Sequence, residues 1–440
     1  MARMVSISSA FDGGNIQVEC QTAEAVQLKI KPDPYTELEK KAHMQSFAFK
    51  ATADSTSPEQ KVMYEIINAK DVSFPDAWEG TTVCYSTDSE TWQRVSSTSF
   101  DRASGVLRWE WTHAGAESSV FFAYFDLYPY ERQLRLVARC AVMAAGAQAP
   151  AGLRVRSLGQ TLEGRELDCI SVGTGPLQAW AIHRQHPGES QASFFAEGLL
   201  DRLLGLRAAG VTDGLVQRAL RLFTFHIVPN MNPDGSVRGY LRVNAGGANL
   251  NREWAPTADY AAPTAERSPE VLHTLAALHA TGVDLFIDVH GDEALPFSFV
   301  AGAEGLGVWG PRHRALHGAF LAAYGRANPD MQARFGYDPE PALGGNPTIC
   351  SNHVAQTFDA LAVTLEMPFK DCASNPQAAP RGWDGRRCAM LGASFVDAAA
   401  YVAAQLRGVP EPQFGPGDEY VAPTEDKQAI AAFLAQGEGL

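Results

Sequence analysis

The chain's 440 residues suffice for two or three domains and a sizeable core, and 45% apolar with 20% charged residues is ordinary for a globular protein. A net charge of −14 argues against nucleic acid or an anionic membrane held by bulk electrostatics. No apolar run approaches the ~18 to 20 residues of a spanning helix, MARMVSISSAFDGGN lacks the apolar core of a signal peptide, and seven cysteines without a CxxC pair fit reduced thiols in a cytoplasm.

Residues 1–130 read as an antiparallel β-sandwich. NIQVEC, MQSFAFKA, TTVCYS, GVLRWEW and SVFFAYF alternate or run apolar between Gly, Asp, Ser and Pro breaks. EQKVMYEIINA (59–69) is ambiguous between strand and helix. From YERQLRLVARCAVM (130–143) the period becomes helical, with Leu134, Val137 and Val142 recurring among polar neighbours. After the loop AAGAQAPAG, strands and helices alternate through 131–407. That pattern implies an α/β unit, a mostly parallel mixed sheet flanked by helices. The expected strands are LQAWAIH (177–183), RLFTFHIVP (221–229), DLFIDVH (284–290) and LAVTLEM (361–367). The expected helices are 190–204, 213–221, 268–281, 313–327 and 390–406. The Pro-rich, acidic tail, 408–440, is expected to lie on the surface or move.

Ligands of open α/β sheets bind beyond the carboxyl ends of the strands. His186 and Glu189 follow the first of these strands, and Asn230, Asn232 and Asp234 follow the second. His290 ends the third, with Asp292 and Glu293 behind it, and Glu366 ends the fourth. Two histidines and a glutamate form a three-ligand catalytic zinc set with a fourth position open. His186 and Glu189 are separated by Pro187 and Gly188, so they sit on a loop entering a helix, where both can face one point. The third ligand must come from elsewhere, and His290 is the best-placed candidate. Zinc lowers the pKa of its water from 15.7 to about 7, and Glu366 is placed to move that water's proton. His183 and Arg184 are expected to be structural.

YLRVNAGGANLNREW (240–254) carries Arg242 and Arg252, with Asn251 beside the second and Gly246 and Gly247 turning the backbone between. Arginine's planar fork matches a carboxylate. One arginine can hold a chain's terminal carboxylate while the other polarises the scissile carbonyl, an interaction worth about 3 kcal/mol. The bland alternative is a solvated loop.

Together these pieces resemble the zinc metallocarboxypeptidases of the carboxypeptidase A superfamily, in the cytosolic carboxypeptidase-like branch. The resemblance rests on QHPGES (185–190), PNMNPDG (229–235), NLNREW (249–254), DVHGD (288–292) and TLEMPFKD (364–371). SLGQTLEGREL (157–167) is similar to the superfamily's opening strand and turn, and FDGGNI and FAYFDLYPYE to the ends of the branch's N-terminal sandwich. The resemblance implies one zinc per chain held by His186, Glu189 and His290, and Glu366 as general base. It assigns the substrate's terminal carboxylate to Asn251 and Arg252 and the scissile carbonyl to Arg242. Its substrates would be peptide or protein C-termini in the cytoplasm, without nucleic acid or membrane.

The superfamily also places a tyrosine over the substrate; Tyr337 is a candidate that no motif ties to the role. Eukaryotic members of the branch remove glutamates with a basic pocket group. Here TICSNHVAQTFDA (348–360) holds no Lys or Arg, and His353 is its one candidate, so an acidic and a neutral terminal residue stay open. Two other readings compete: a zinc deacylase of N-acyl amino acids similar to aspartoacylase, and a non-catalytic binding protein.

Overall fold

The computed structural model describes residues 5–22, 24–53, 59–114, 118–208, 210–376 and 382–436. Its first ten strands are β1 (Ser6–Ser8), β2 (Gln17–Gln21), β3 (Ala25–Lys29), β4 (Ala48–Thr52), β5 (Glu59–Ile66), β6 (Cys84–Ser86), β7 (Gln93–Arg94), β8 (Ser99–Asp101), β9 (Val106–Ala114) and β10 (Ser119–Ala123). They form two five-stranded sheets, ordered β1-β4-β10-β6-β7 and β2-β3-β5-β9-β8. The pairing is antiparallel apart from a parallel β3–β5 ladder. The ambiguous segment 59–69 is largely strand because Val62, Tyr64 and Ile66 are buried at period two. An aromatic core fills the sandwich: Trp109 stacks on Tyr64 at 5.6 Å and meets Phe122 edge-on at 5.4 Å.

Helix α1 (Tyr130–Ala145) begins where the period changes, but its inner face is not the expected one. Leu134 is 45% and Val142 75% exposed, while Gln133, Leu136 and Cys140 are buried. A helix turns about 100° per residue, so a stripe chosen one or two positions off faces the wrong side. Val137 alone of the expected three packs on the core.

The remaining strands are β11 (Arg154–Gln160), β12 (Glu166–Val172), β13 (Leu177–His183), β14 (Phe223–Val228), β15 (Leu285–Val289), β16 (Phe299–Ala301) and β17 (Leu361–Glu366). The sheet order is β11-β12-β14-β13-β15-β17-β16. The central β14, β13, β15 and β17 are parallel, and both edges turn antiparallel. The helices are α2 (Gln191–Leu204), α3 (Gly214–Leu222), α4 (Pro233–Arg238), α5 (Pro269–Thr281), α6 (Pro311–Ala327), α7 (Cys350–Phe358), α8 (Gly385–Val402) and α9 (Lys427–Leu434). Both sheet faces are covered, which is why the strands read as continuous apolar runs. Ala179 and Ala181 of β13 join one core with Phe195 of α2 and Phe395 of α8. Trp180 and Ile182 join the other with Leu278 of α5 and Val354 of α7.

Helix α8 starts five residues before its expected position, because the Asp384 side chain caps it by accepting the Arg387 N–H. By length and composition Gly385–Gln405 could cross a membrane, which the sequence reading did not anticipate. Here Phe395, Val396 and Ala399 are buried against the domain core instead. Two glycines allow α8 its close approach to α2. A Cβ on Gly392 would fall 2.1 Å from the Phe195 oxygen, and one on Gly198 1.9 Å from the Ala389 oxygen. Gly392→Val is therefore expected to destabilise the fold by about 1–3 kcal/mol. A urea melt coincident with wild type would show that the crossing has slack.

Residues 408–436 lie along this unit. Residues 418–420 cross Gly318 of α6, Thr424 bridges to Phe335, and Ile430 and Phe433 pack with Phe297 and Phe335.

Candidate active site

Three parallel strands end at one level. His183 of β13 is in register with Val289 of β15, and Val289 with Leu365 of β17. His290 N–H then donates to the Leu365 carbonyl at 2.8 Å, bringing His290 beside Glu366. Beyond β13 the chain reverses at Arg184, whose φ is 59°. The Arg184 guanidinium holds that turn by donating to the Pro187 and Tyr128 carbonyls, while His183 Nδ1 bonds the Val228 carbonyl. Both residues are structural, as expected. Gly188 N–H donates to the Leu241 carbonyl at 2.9 Å, and a Cβ there would lie 3.0 Å from that oxygen. So the Pro-Gly turn docks on the arginine loop while it turns His186 and Glu189 inward.

His186, Glu189 and His290 offer ligand atoms that all lie within 4.8 Å of one another. Glu189 bridges the two rings, 2.7 Å from His186 Nδ1 and 2.9 Å from His290 Nδ1, and the two Nδ1 atoms are 3.1 Å apart. The far nitrogens have partners of their own. His186 Nε2 meets Asn249 Oδ1 at 3.1 Å, and His290 Nε2 meets Asp288 Oδ2 at 2.8 Å. Gln185 donates to the same Asp288 oxygen at 2.6 Å. Outer partners of this kind orient metal-binding histidines. Burial, then the Arg242 charge, pushes the His186 pKa down to about 3. Burial opposes charge on His290 too, but Asp288 and Glu189 on either side carry its pKa well above the ordinary value. Burial likewise opposes the Glu189 carboxylate, yet the two histidines hold it below the usual range. Three ligand atoms thus converge on one point, where a divalent cation would displace the protons its ligands carry. The donor set matches catalytic zinc.

Glu366 is buried, and its Oε2 has no partner among the described residues. Burial, with Glu189 and Asp292 adding and His290 opposing, raises its pKa well above the carboxylate range. Tyr337 stands over it, donating to Asp292 Oδ2 at 2.7 Å and 3.4 Å from Glu366 Oε1. The C-terminal segment braces this tyrosine, since Thr424 exchanges backbone hydrogen bonds with Arg334 and Gly336.

The arginine loop is fastened from the N-terminal sandwich. The buried Asp33 carboxylate accepts the N–H groups of Leu241, Arg242 and Val243 at 2.7, 2.7 and 3.1 Å. Gly247, at φ 81°, lies so close to Tyr35 that a Cβ would fall 1.8 Å from its oxygen. Asn251 Oδ1 accepts the Cys350 N–H at 2.8 Å, which seats the Asn251–Arg252 pair at the start of α7. Burial, and then the neighbouring Arg242 charge, lowers the Arg252 pKa. Two facing cations of this kind favour an anion between them.

His186, Glu189, Arg242, Asn251, Arg252 and Glu366 line one cavity of about 420 Å³. His290 touches it through Glu189. A second cavity of about 540 Å³, beside Trp92 and α8, holds none of these residues. Asn230, Asn232 and Asp234 lie apart from the cluster. Asn232 caps α4, Asn230 bonds Ser236, and Asp234 pairs with Arg165. His353 does not face the cavity; its ring centroid lies 6.5 Å from that of Trp254, and burial lowers its pKa. Sequence reasoning missed Asp33, Asn249 and Asp288. Only Asp288 had a local signal, two residues before His290 on the same strand.

The family described as the cytosolic carboxypeptidase N-terminal domain matches residues 7–125, and the zinc carboxypeptidase family matches 140–304. An uncharacterised protein of Zymomonas mobilis is 37% identical over 402 residues, covering 91% of this chain and 97% of that protein. Mouse cytosolic carboxypeptidase 6 is 29% identical over 154 residues, 33% of this chain and 27% of that protein. Two solved structures superpose at TM-score 0.80, each covering 91% of this chain. One is a metallo-carboxypeptidase from Pseudomonas aeruginosa in complex with (2-guanidinoethylmercapto)succinic acid, 36% identical and fully covered. The other is a metallo-carboxypeptidase from Burkholderia cenocepacia, 38% identical and 99% covered.

Proposed function

The chain belongs to the zinc carboxypeptidases that carry a cytosolic carboxypeptidase N-terminal domain and is a peptidase of that family; from that premise we propose how its residues divide the work. His186, Glu189 and His290 hold the zinc. When bound, the metal supplies a Lewis acid for the scissile carbonyl and a water with a pKa near about 7. Asn251 and Arg252 take the substrate's terminal carboxylate, so that only the last peptide bond reaches the ligand cluster. Arg242 donates to the carbonyl oxygen as negative charge develops there. Glu366 accepts the attacking water's proton and hands it to the departing amine. Tyr337 covers the substrate from the cavity mouth.

The observation that carries this reading is the unpartnered Glu366 Oε2, in the same cavity as the ligand cluster and the Asn251–Arg252 pair. Release of C-terminal residues from short peptides, run beside N-acyl amino acids, tests it. Turnover confined to the N-acyl amino acids would make the chain a deacylase. Arg242→Ala is expected to cut kcat about 10²- to 10³-fold, as removal of a preorganised oxyanion donor does, with KM changing far less. An equal rise in KM at constant kcat would assign Arg242 to ground-state binding instead.

The ligand of the Pseudomonas relative joins a guanidinium to a succinate. The same compound is expected to occupy this cavity with a carboxylate on the Asn251–Arg252 pair. The cytosolic names of the mouse relatives support a cytoplasmic location. His353, the basic candidate of the segment 348–360, does not line the cavity.

A further inference from the structure

We propose that Asp33, in the N-terminal sandwich, is a positioning residue of the reaction: it sets where the Arg242 guanidinium stands in a cavity that belongs to the other domain. The inference rests on the reading of Arg242 as the donor to the scissile carbonyl. A donor of that kind works only if its place is fixed before charge develops on the oxygen. The Arg242 guanidinium lines the cavity with His186 and Glu189, yet it has no hydrogen-bond or ion-pair partner among the described residues. Its far end is therefore not what fixes it, and the task falls to the backbone beneath it.

That backbone is held from across the domain boundary. The buried Asp33 carboxylate takes three successive N–H groups, Leu241 on Oδ1 and both Arg242 and Val243 on Oδ2. A carboxylate suits three donors, whereas an amide would turn its own N–H toward one of them. Leu241 and Val243, on either side of Arg242, are 3% and 0% exposed, so water is a poor substitute for this acceptor. The same sandwich segment meets the far end of the loop, where Glu39 accepts the Asn249 N–H at 3.4 Å. The segment is itself tied down. Asn15 Nδ2 donates to the Lys31 and Ser46 carbonyls at 3.0 and 3.2 Å, and Asn68 bonds both the N–H and the carbonyl of Ile30. On its other side the arginine loop carries the metal turn, because the Leu241 carbonyl takes the Gly188 N–H. Leu241 thus touches Asp33 with its N–H and the His186–Glu189 turn with its carbonyl. Arg242, the next residue, is placed relative to both.

The test is a double-mutant cycle in the full chain, with zinc content and melting measured beside the kinetics. Asp33→Ala is expected to keep its zinc and to lower kcat about 10- to 100-fold, the cost of a misplaced group, with KM within about threefold of wild type. In Asp33→Ala/Arg242→Ala the loss should match that of Arg242→Ala alone within about twofold, since the carboxylate then has no guanidinium left to place. Asp33→Asn keeps an oxygen that can accept two of the three N–H groups, so its kcat should fall between wild type and Asp33→Ala. If Asp33→Ala does not fold, Asp33→Asn carries the same cycle. A purely structural role would lower the melting temperature and leave the two losses multiplicative. Multiplicative losses, loss of zinc in the Asp33 variant, or an unchanged kcat in it while Arg242→Ala is impaired, overturns the proposal alone. An Arg242→Ala variant at full kcat overturns the reading of Arg242 and the proposal with it.

Discussion

Glu366→Gln is expected to keep its zinc and lower kcat by about 10²- to 10⁴-fold, the range over which a positioned general base acts. The substitution preserves volume and the contact with Tyr337 but removes the group that accepts a proton. Glu366 is not among the three convergent ligands, so metal content should stay at one per chain. KM should change little, because Asn251 and Arg252, proposed to hold the terminal carboxylate, are left intact. A glutamine replacement is also well suited to this environment, since burial already raises the Glu366 pKa and disfavours its charge. The variant should therefore fold at least as stably as wild type. Zinc analysis and single-turnover rates in one preparation check both halves. Full activity with full zinc would remove Glu366 from the mechanism.

His290→Ala is expected to abolish zinc binding and activity together and to weaken the fold. His290 bonds Glu189 with one ring nitrogen and Asp288 with the other, so its loss strips two buried carboxylates of a partner. Asp288 Oδ1 already lacks one among the described residues. Breaking a buried charge pair typically costs about 3–5 kcal/mol. Wild type should also melt higher with zinc than after chelation, by the mass action of a ligand that binds only the folded state. The variant should lose this difference. Unchanged zinc-dependent melting in His290→Ala would place the metal elsewhere, while unchanged melting without metal would show that Asp288 and Glu189 are solvated.

The strand-end chemistry was legible because it is local. β13 occupies the expected 177–183, and the other three central strands fall within one or two residues of expectation. Strands buried on both faces carry unbroken apolar runs, and parallel strands joined by helices deliver their last residues to one edge. That logic picked His290, over a hundred residues from His186, and Glu366, and the register of β13, β15 and β17 brings them together. The α1 face was misjudged for the opposite reason: its apolar residues are sparse, and which stripe is buried depends on what lies against it.

By itself, then, the sequence determined the order of elements, the strand ends and the residue types that crowd there, since each follows from neighbours along the chain. Only the tertiary structure decided what holds and tunes them. Asp33 fastens the Arg242 loop from 208 residues upstream, and His353 turns toward Trp254 instead of the cavity. No periodicity links such pairs. A side chain's partner across the fold is set by how sheets and helices pack, and that packing is encoded in the whole chain rather than in any stretch of it.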